Sequence, residues 1–93
     1  MNAANDPDAG SPLAFPCSFP IKVMGRHEGD FEALVVELVS RHAPDLDPAR
    51  IQVRDSRAGR YQSVTVVVNA RDRAQLDALY SELSGHPRIL LVL

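Results

Sequence analysis

Tryptophan is absent from this 93-residue chain and aromatic side chains make up only 5% of it, although 45% of the residues are hydrophobic. A core must therefore be assembled from Val, Leu and Ile, which suits a sheet with helices packed on it. Cysteine is equally scarce. Cys17 stands alone, which excludes an intramolecular disulfide and a Cys-rich zinc site and fits a reducing compartment. No apolar run approaches the ~20 residues needed to cross a bilayer, and the first twelve residues lack a basic segment followed by an apolar one. Neither membrane insertion nor secretion is indicated, and the expected location is the cytoplasm.

A basic excess is missing too. Asp6 and Asp8 lie in the first twelve residues, so residues 13 to 93 carry ten acids (12 minus 2) against ten Lys and Arg. Neutralising phosphates supplies most nonspecific affinity for nucleic acid, so a near-neutral domain argues against DNA or RNA as the main partner. The cations are nine arginines and one lysine, Lys22, a bias that fits a high-GC genome as well as it fits a recognition surface.

What is present is a clear order of elements. Residues 1 to 12 have no large apolar side chain except Met1 and read as a floppy tail, leaving residues 13 to 93 as one domain. A chain this short buries roughly 60 to 65% of its unfolded surface, enough for a modest core and no second domain. Phe19, Ile21 and Val23 alternate with Pro20, Lys22 and Met24, the two-residue period of a strand with one buried face. Pro16 and Pro20 each remove a ladder donor, which confines expected pairing mostly to residues 21 to 24. Asp30 is placed to cap a helix whose stripe is Phe31, Leu34, Val35, Leu38 and Val39, stopped by Pro44.

Ile51 and Val53 mark a short second strand, and residues 55 to 60 turn the chain into a third, with Val64, Val66 and Val68 on its buried face. Asp72 with Gln75 forms a capping-box pattern before a second helix with Leu76, Leu79, Tyr80 and Leu83 inward. Gly85 and Pro87 end that helix, and residues 88 to 93 form the last strand. The order βαββαβ implies a ferredoxin-like α+β sandwich: a four-stranded antiparallel sheet of order 4-1-3-2 with both helices on one face.

The run Phe15-Pro16 with Phe19, followed by Lys22-Val23-Met24-Gly25, resembles the opening of the YbeD-like family of small bacterial proteins. Ser56, Gly59, Tyr61, Ser63 and Val64, then Leu79-Tyr80 with Leu83, then Val92-Leu93, continue the likeness over residues 14 to 93. The resemblance implies an ACT-like fold, no catalytic residues, and an association by name with regulation of lipoate metabolism. ACT-like domains commonly dimerise and bind small effectors such as amino acids beside the loop after the first strand, here residues 25 to 29. This is fold-level analogy.

Candidate chemistry is thin. His42 and His86 sit near helix C-termini, where imidazolium favours the negative dipole end, and read as structural caps. His27 and Glu28 are loop neighbours that read as a solvated pair, although an acid–base pair is the alternative. The three histidines lie in separate places, so no metal site or cofactor is expected. Cys17, between prolines and aromatics, reads as a small buried hydrophobe, with a nucleophile as the alternative. Arg54, Arg57 and Arg60 around the hairpin read as a solvated turn, or as a hold for an anion.

The sheet face opposite the helices should carry Lys22, Met24, Arg54, Tyr61, Ser63, Thr65 and Val67. Lys22, Met24, Gly25, Arg54, Tyr61 and Ser63 are the ligand-binding candidates. In the last strand Ile89 and Leu91 should point one way and Leu90 and Val92 the other, leaving an apolar sheet edge that a second copy would cover through Leu90 and Val92. The expectation is a non-enzymatic regulatory or adaptor module that dimerises and binds a small effector or a protein partner. The alternative is an RNA-binding module using the open face.

Overall fold

A computed structural model describes residues 14–93. The expected floppy tail, residues 1 to 12, lies outside them. Strand β1 (Cys17–Arg26) leads to helix α1 (Phe31–Ser40), a short 3-10 helix (Pro48–Arg50), strands β2 (Gln52–Asp55) and β3 (Tyr61–Ala70), helix α2 (Arg73–Gly85) and strand β4 (Ile89–Val92). All pairings are antiparallel and the sheet order is β2-β3-β1-β4, the expected 4-1-3-2 in reverse. Burial falls on alternate residues of the two central strands: Ile21 and Val23 on β1, and Val64, Val66, Val68 and Ala70 on β3, are all fully buried. Ile21, Val23, Val64, Val66 and Val68 pack against Phe31, Val35, Leu38 and Val39 of α1 and Leu79 and Leu83 of α2. Both helices therefore shield one side of the sheet, and among the described residues no element covers its other side.

Two local expectations change. Pairing of β1 with β3 runs from Cys17 to Arg26, straight through Pro20, which sits opposite Val67. The reason lies in strand direction. Lys22 exchanges both backbone hydrogen bonds with Leu93 on the β4 side, so the nitrogen of Pro20, two residues earlier, also faces that side. There β4 has already ended, and no ladder donor is lost. The second change is at Asp30, which precedes α1 but makes no side-chain cap. Its carboxylate is held instead by both terminal nitrogens of Arg88 at 3.0 and 2.8 Å. The Arg88 hydrogen bond lowers the Asp30 pKa below the ordinary aspartate value. Asp72 does cap α2, accepting from the Gln75 amide at 2.8 Å.

Gln75 departs from the capping-box geometry. Its side-chain oxygen accepts from the Arg71 amide, and its nitrogen donates to the His42 carbonyl at 2.8 Å, tying α2 to the end of α1. A charged clamp lies beside that tie. Glu82 meets His42 Nε2 at 2.5 Å and accepts from Arg41 at 2.6 Å, while Arg41 also reaches Glu37 at 2.8 Å. Hydrogen bonding to His42 first, and then to Arg41, holds the Glu82 carboxyl below the usual glutamate range. A carboxyl whose folded-state pKa is depressed contributes stability above its unfolded pKa and loses it as pH falls through the folded value. Glu82→Gln should therefore destabilise at neutral pH, with a difference from the wild type that shrinks as the pH falls below the ordinary glutamate range. Urea midpoints of the two proteins across that range check this, and a pH-independent difference would contradict it.

Candidate functional site

The open side of the sheet is built by cross-strand pairing. Residues directly opposite in an antiparallel ladder share a face. One row is therefore Met24–Ser63–Arg54, across β1, β3 and β2, and the next is Lys22–Thr65–Gln52. Arg26 opposite Tyr61 extends the face at one end, and Pro20 opposite Val67 extends it at the other. A depression of about 510 Å³ lies over Lys22, Gln52, Val53, Arg54, Ser63 and Thr65. A smaller one of about 180 Å³ shares Lys22, Arg54 and Ser63 with it and reaches Met24, Tyr61 and Asp55. Five of the six ligand-binding candidates thus lie together: Lys22, Met24, Arg54, Tyr61 and Ser63.

Gly25, the sixth, is corrected by its surroundings. It is buried, and a Cβ there would come within 2.4 Å of the Phe31 ring and 2.6 Å of the Arg88 carbonyl oxygen. Its lack of a side chain serves close packing of α1 and the start of β4 on β1, and it presents no surface to a ligand. The loop after β1 is also closed against the β2–β3 hairpin turn: the His27 amide donates to the Arg60 carbonyl at 2.8 Å, and His27 Nδ1 lies 3.2 Å from the Gly59 carbonyl oxygen. His27 and Glu28 do not pair. Asp55 lies 3.7 Å from His27, and Glu28 lies 3.8 Å from Arg88.

Gln52 is a face residue that the sequence reading missed, because the alternation of Ile51 with Val53 drew attention to the apolar members of that strand. Ile51 itself precedes β2 and packs on the core, while Val53 is 40% exposed on the uncovered edge. A second correction concerns β4. The register shifts between Met24 and Gly25, so that Val92 pairs with Val23, Leu91 with Met24 and Ile89 with Gly25. The bulge leaves Leu90 unmatched and breaks the expected alternation. Ile89 and Val92 both belong to the helix side, packed in or against the core, whereas Leu90, Leu91 and Leu93 are 56%, 46% and 61% exposed. Val92 is therefore not an outward contact, and the outward apolar residues of this edge are the three leucines.

Electrostatics divide along the same line. By register no strand position on the open side is acidic, while Lys22, Arg26 and Arg54 are all basic; Asp55, at the end of β2 and paired with Gln62, borders only the smaller depression. Among the described residues neither Lys22 nor Arg54 has a carboxylate partner, in contrast to Arg41 and Arg88. Asp45 reaches only the far end of β3, where Asn69 donates to it at 3.2 Å. His86 accepts from the Arg88 amide at 3.1 Å beside the end of α2, and His42 is engaged by Glu82. Cys17 is half-buried. Among the described residues, no group of three or more His, Cys, Asp and Glu is placed to hold a metal ion, and no helix is long and apolar enough to cross a membrane.

Comparison with known proteins agrees with the family suspected from the sequence. The solution structure of protein HP0495 from H. pylori superposes with a TM-score of 0.69 over 100% of this chain and 94% of that one, at 12% identity, a likeness of fold alone. A UPF0250 protein of Leptothrix cholodnii is 46% identical over 87 residues, covering 94% of this chain and 96% of its own. Another, from Ralstonia nicotianae, is 42% identical over 97 residues and the full length of both chains. Residues 11–93 match the family described as "Protein of unknown function (DUF493)". With nearly the whole domain matched and relatives this similar from end to end, the chain is a member of the DUF493 family, alongside the bacterial UPF0250 proteins.

Proposed function

We propose that this protein is a non-enzymatic regulatory or adaptor module and that the uncovered sheet face is where it binds a small effector or a protein partner. One observation carries the reading: helices cover one side of the sheet only, and the other side presents Lys22 and Arg54, without carboxylate partners among the described residues, beside the hydroxyls of Ser63 and Thr65. Charged groups raise the affinity and specificity of a complementary partner when their own protein leaves them unneutralised. The resemblance to YbeD-like proteins makes lipoyl compounds and amino acids the small molecules to try first. A saturable rise in Tm with one of them, lost in Lys22→Gln/Arg54→Gln, supports a metabolite effector. Because both side chains are exposed, that variant should keep wild-type stability within about 0.5 kcal/mol. A larger loss, measured by urea unfolding, would show that the two cations serve the fold.

The β4 edge supplies the second part of the proposal, a homodimer. Among the described residues the outer backbone groups of β4 have no partner strand and Leu90 lies exposed beside them; a second copy pairing along that edge would cover both and leave Leu91 and Leu93 on the open face. Light scattering at roughly tens of micromolar should report a dimer, and a monomer there would contradict it. The RNA reading is favoured by a single feature, Tyr61, 42% exposed on the cationic face, where a base could stack. Salt-dependent retention on single-stranded RNA, lost in Tyr61→Ala, would establish it.

A further inference from the structure

The open face is amphipathic across its width as well as cationic. On the β2 side stand Arg54 and Gln52; β1 carries both Lys22 and Met24, and beyond them on the β4 side Leu91 lies opposite Met24 and Leu93 is hydrogen-bonded opposite Lys22. Three strand spacings separate the β2 and β4 columns, about 14 Å. That width accepts one α-helix with its side chains, about 10–12 Å across, lying along β1 and β3. Both depressions on the face are shallow and only partly enclosed, whereas small-molecule sites enclose most of their ligand. Charge sets the sign of the occupant. Residues 13 to 93 are neutral in Lys, Arg, Asp and Glu, yet by register the open side holds no acidic strand position, with Asp55 touching only the end of the smaller depression, and α1 and α2 carry Glu32, Glu37, Asp77 and Glu82 on the opposite layer.

We infer that the open sheet face docks an acidic amphipathic helix of a partner protein, with its carboxylates over Lys22 and Arg54 and its apolar stripe over Met24, Leu91 and Leu93. This deepens the proposed function and rests on its choice of surface. The docking mode is that of a helix in a groove, with apolar anchors giving affinity and the charged flank giving register and specificity. A helix with a basic flank would set like charges against each other and is excluded by the same arrangement. RNA would need more stacking platforms than Tyr61.

The test is an NMR titration of the full-length, isotope-labelled protein with a synthetic amphipathic helix bearing a leucine stripe and a glutamate flank. A second peptide with lysines in place of the glutamates, an oligouridine RNA and inorganic phosphate serve as separate probes. The acidic peptide should shift the amides of Lys22, Met24, Arg54, Ser63, Thr65 and Leu91 saturably. Its affinity should fall at least about tenfold in Lys22→Glu/Arg54→Glu, and also in the milder Lys22→Gln/Arg54→Gln should the first fold poorly. The basic peptide should not bind. Equal binding of the basic peptide overturns the charge argument, and saturation of the same amides by phosphate alone or by RNA overturns the choice of a helix while leaving the surface in place. Shifts confined to α1 and α2 overturn both the inference and the surface it rests on.

Discussion

Gly25→Ala is expected to cost about 3 kcal/mol of stability, at the upper end of what one added methyl does in a packed core. The new Cβ would lie 2.4 Å from Cε1 of Phe31 and 2.6 Å from the Arg88 carbonyl oxygen. The ring edge could rotate or slide, but the carbonyl belongs to backbone that enters β4 one residue before Ile89. Relief therefore requires β1 and β4 to separate at the bulge. A domain of this size has about 5 to 10 kcal/mol in total, so the variant should unfold at a much lower urea concentration. A change below about 0.5 kcal/mol would mean that the approach of Phe31 and Arg88 to β1 is looser than described.

Phe31→Ala should cost as much or more, about 3 to 5 kcal/mol, because the ring is fully buried within the core at the first turn of α1 and its removal leaves a cavity there. The two substitutions act on one contact and should not add. In the Phe31→Ala background the ring that blocks a methyl at position 25 is gone, so adding Gly25→Ala should cost less than it does alone. The cost should not vanish, since the Arg88 carbonyl stays where it was. Denaturant unfolding of the four proteins in a double-mutant cycle measures the coupling, and strict additivity would contradict the described packing.

How far such details could be read beforehand depended on the range over which each signal acts. The two-residue period of Ile21 and Val23 and of Val64, Val66 and Val68 is local, and it correctly marked the buried sides of β1 and β3 and hence the order of the sheet. The same holds for the α1 stripe from Phe31 to Val39. What was not legible arises between segments far apart in the chain. The bulge opposite Met24 and Gly25 reassigns Leu91 and Val92 to opposite sides, and nothing within residues 89 to 93 announces it. Asp30 looked like a cap because its partner, Arg88, is 58 positions away. Pro20 looked disruptive because only the length of β4 shows that its nitrogen faces open solvent. Gly25 looked like part of a binding loop, since the ring and carbonyl that crowd it come from α1 and the approach to β4.

The candidate site was legible in its membership for the same reason that the core was. Lys22, Met24, Arg54, Tyr61 and Ser63 occupy the positions left over when alternate residues are buried, and pairing then aligned them into rows. Their electrostatic character was not visible from net charge. It appears only once the acids are seen on the helical layer and the loops.

The central claim is that contact is made through the uncovered side of the sheet. Hydroxyl-radical footprinting of the full-length protein, alone and in an extract of the cells that make it, tests it directly through side chains of known position. Met24 and Tyr61 on the open face should be protected in the extract, while Tyr80, half-buried on the helical side against Phe19, should oxidise to the same extent in both conditions. Protection that spared Met24 and Tyr61 and fell on α1 and α2 would contradict the account.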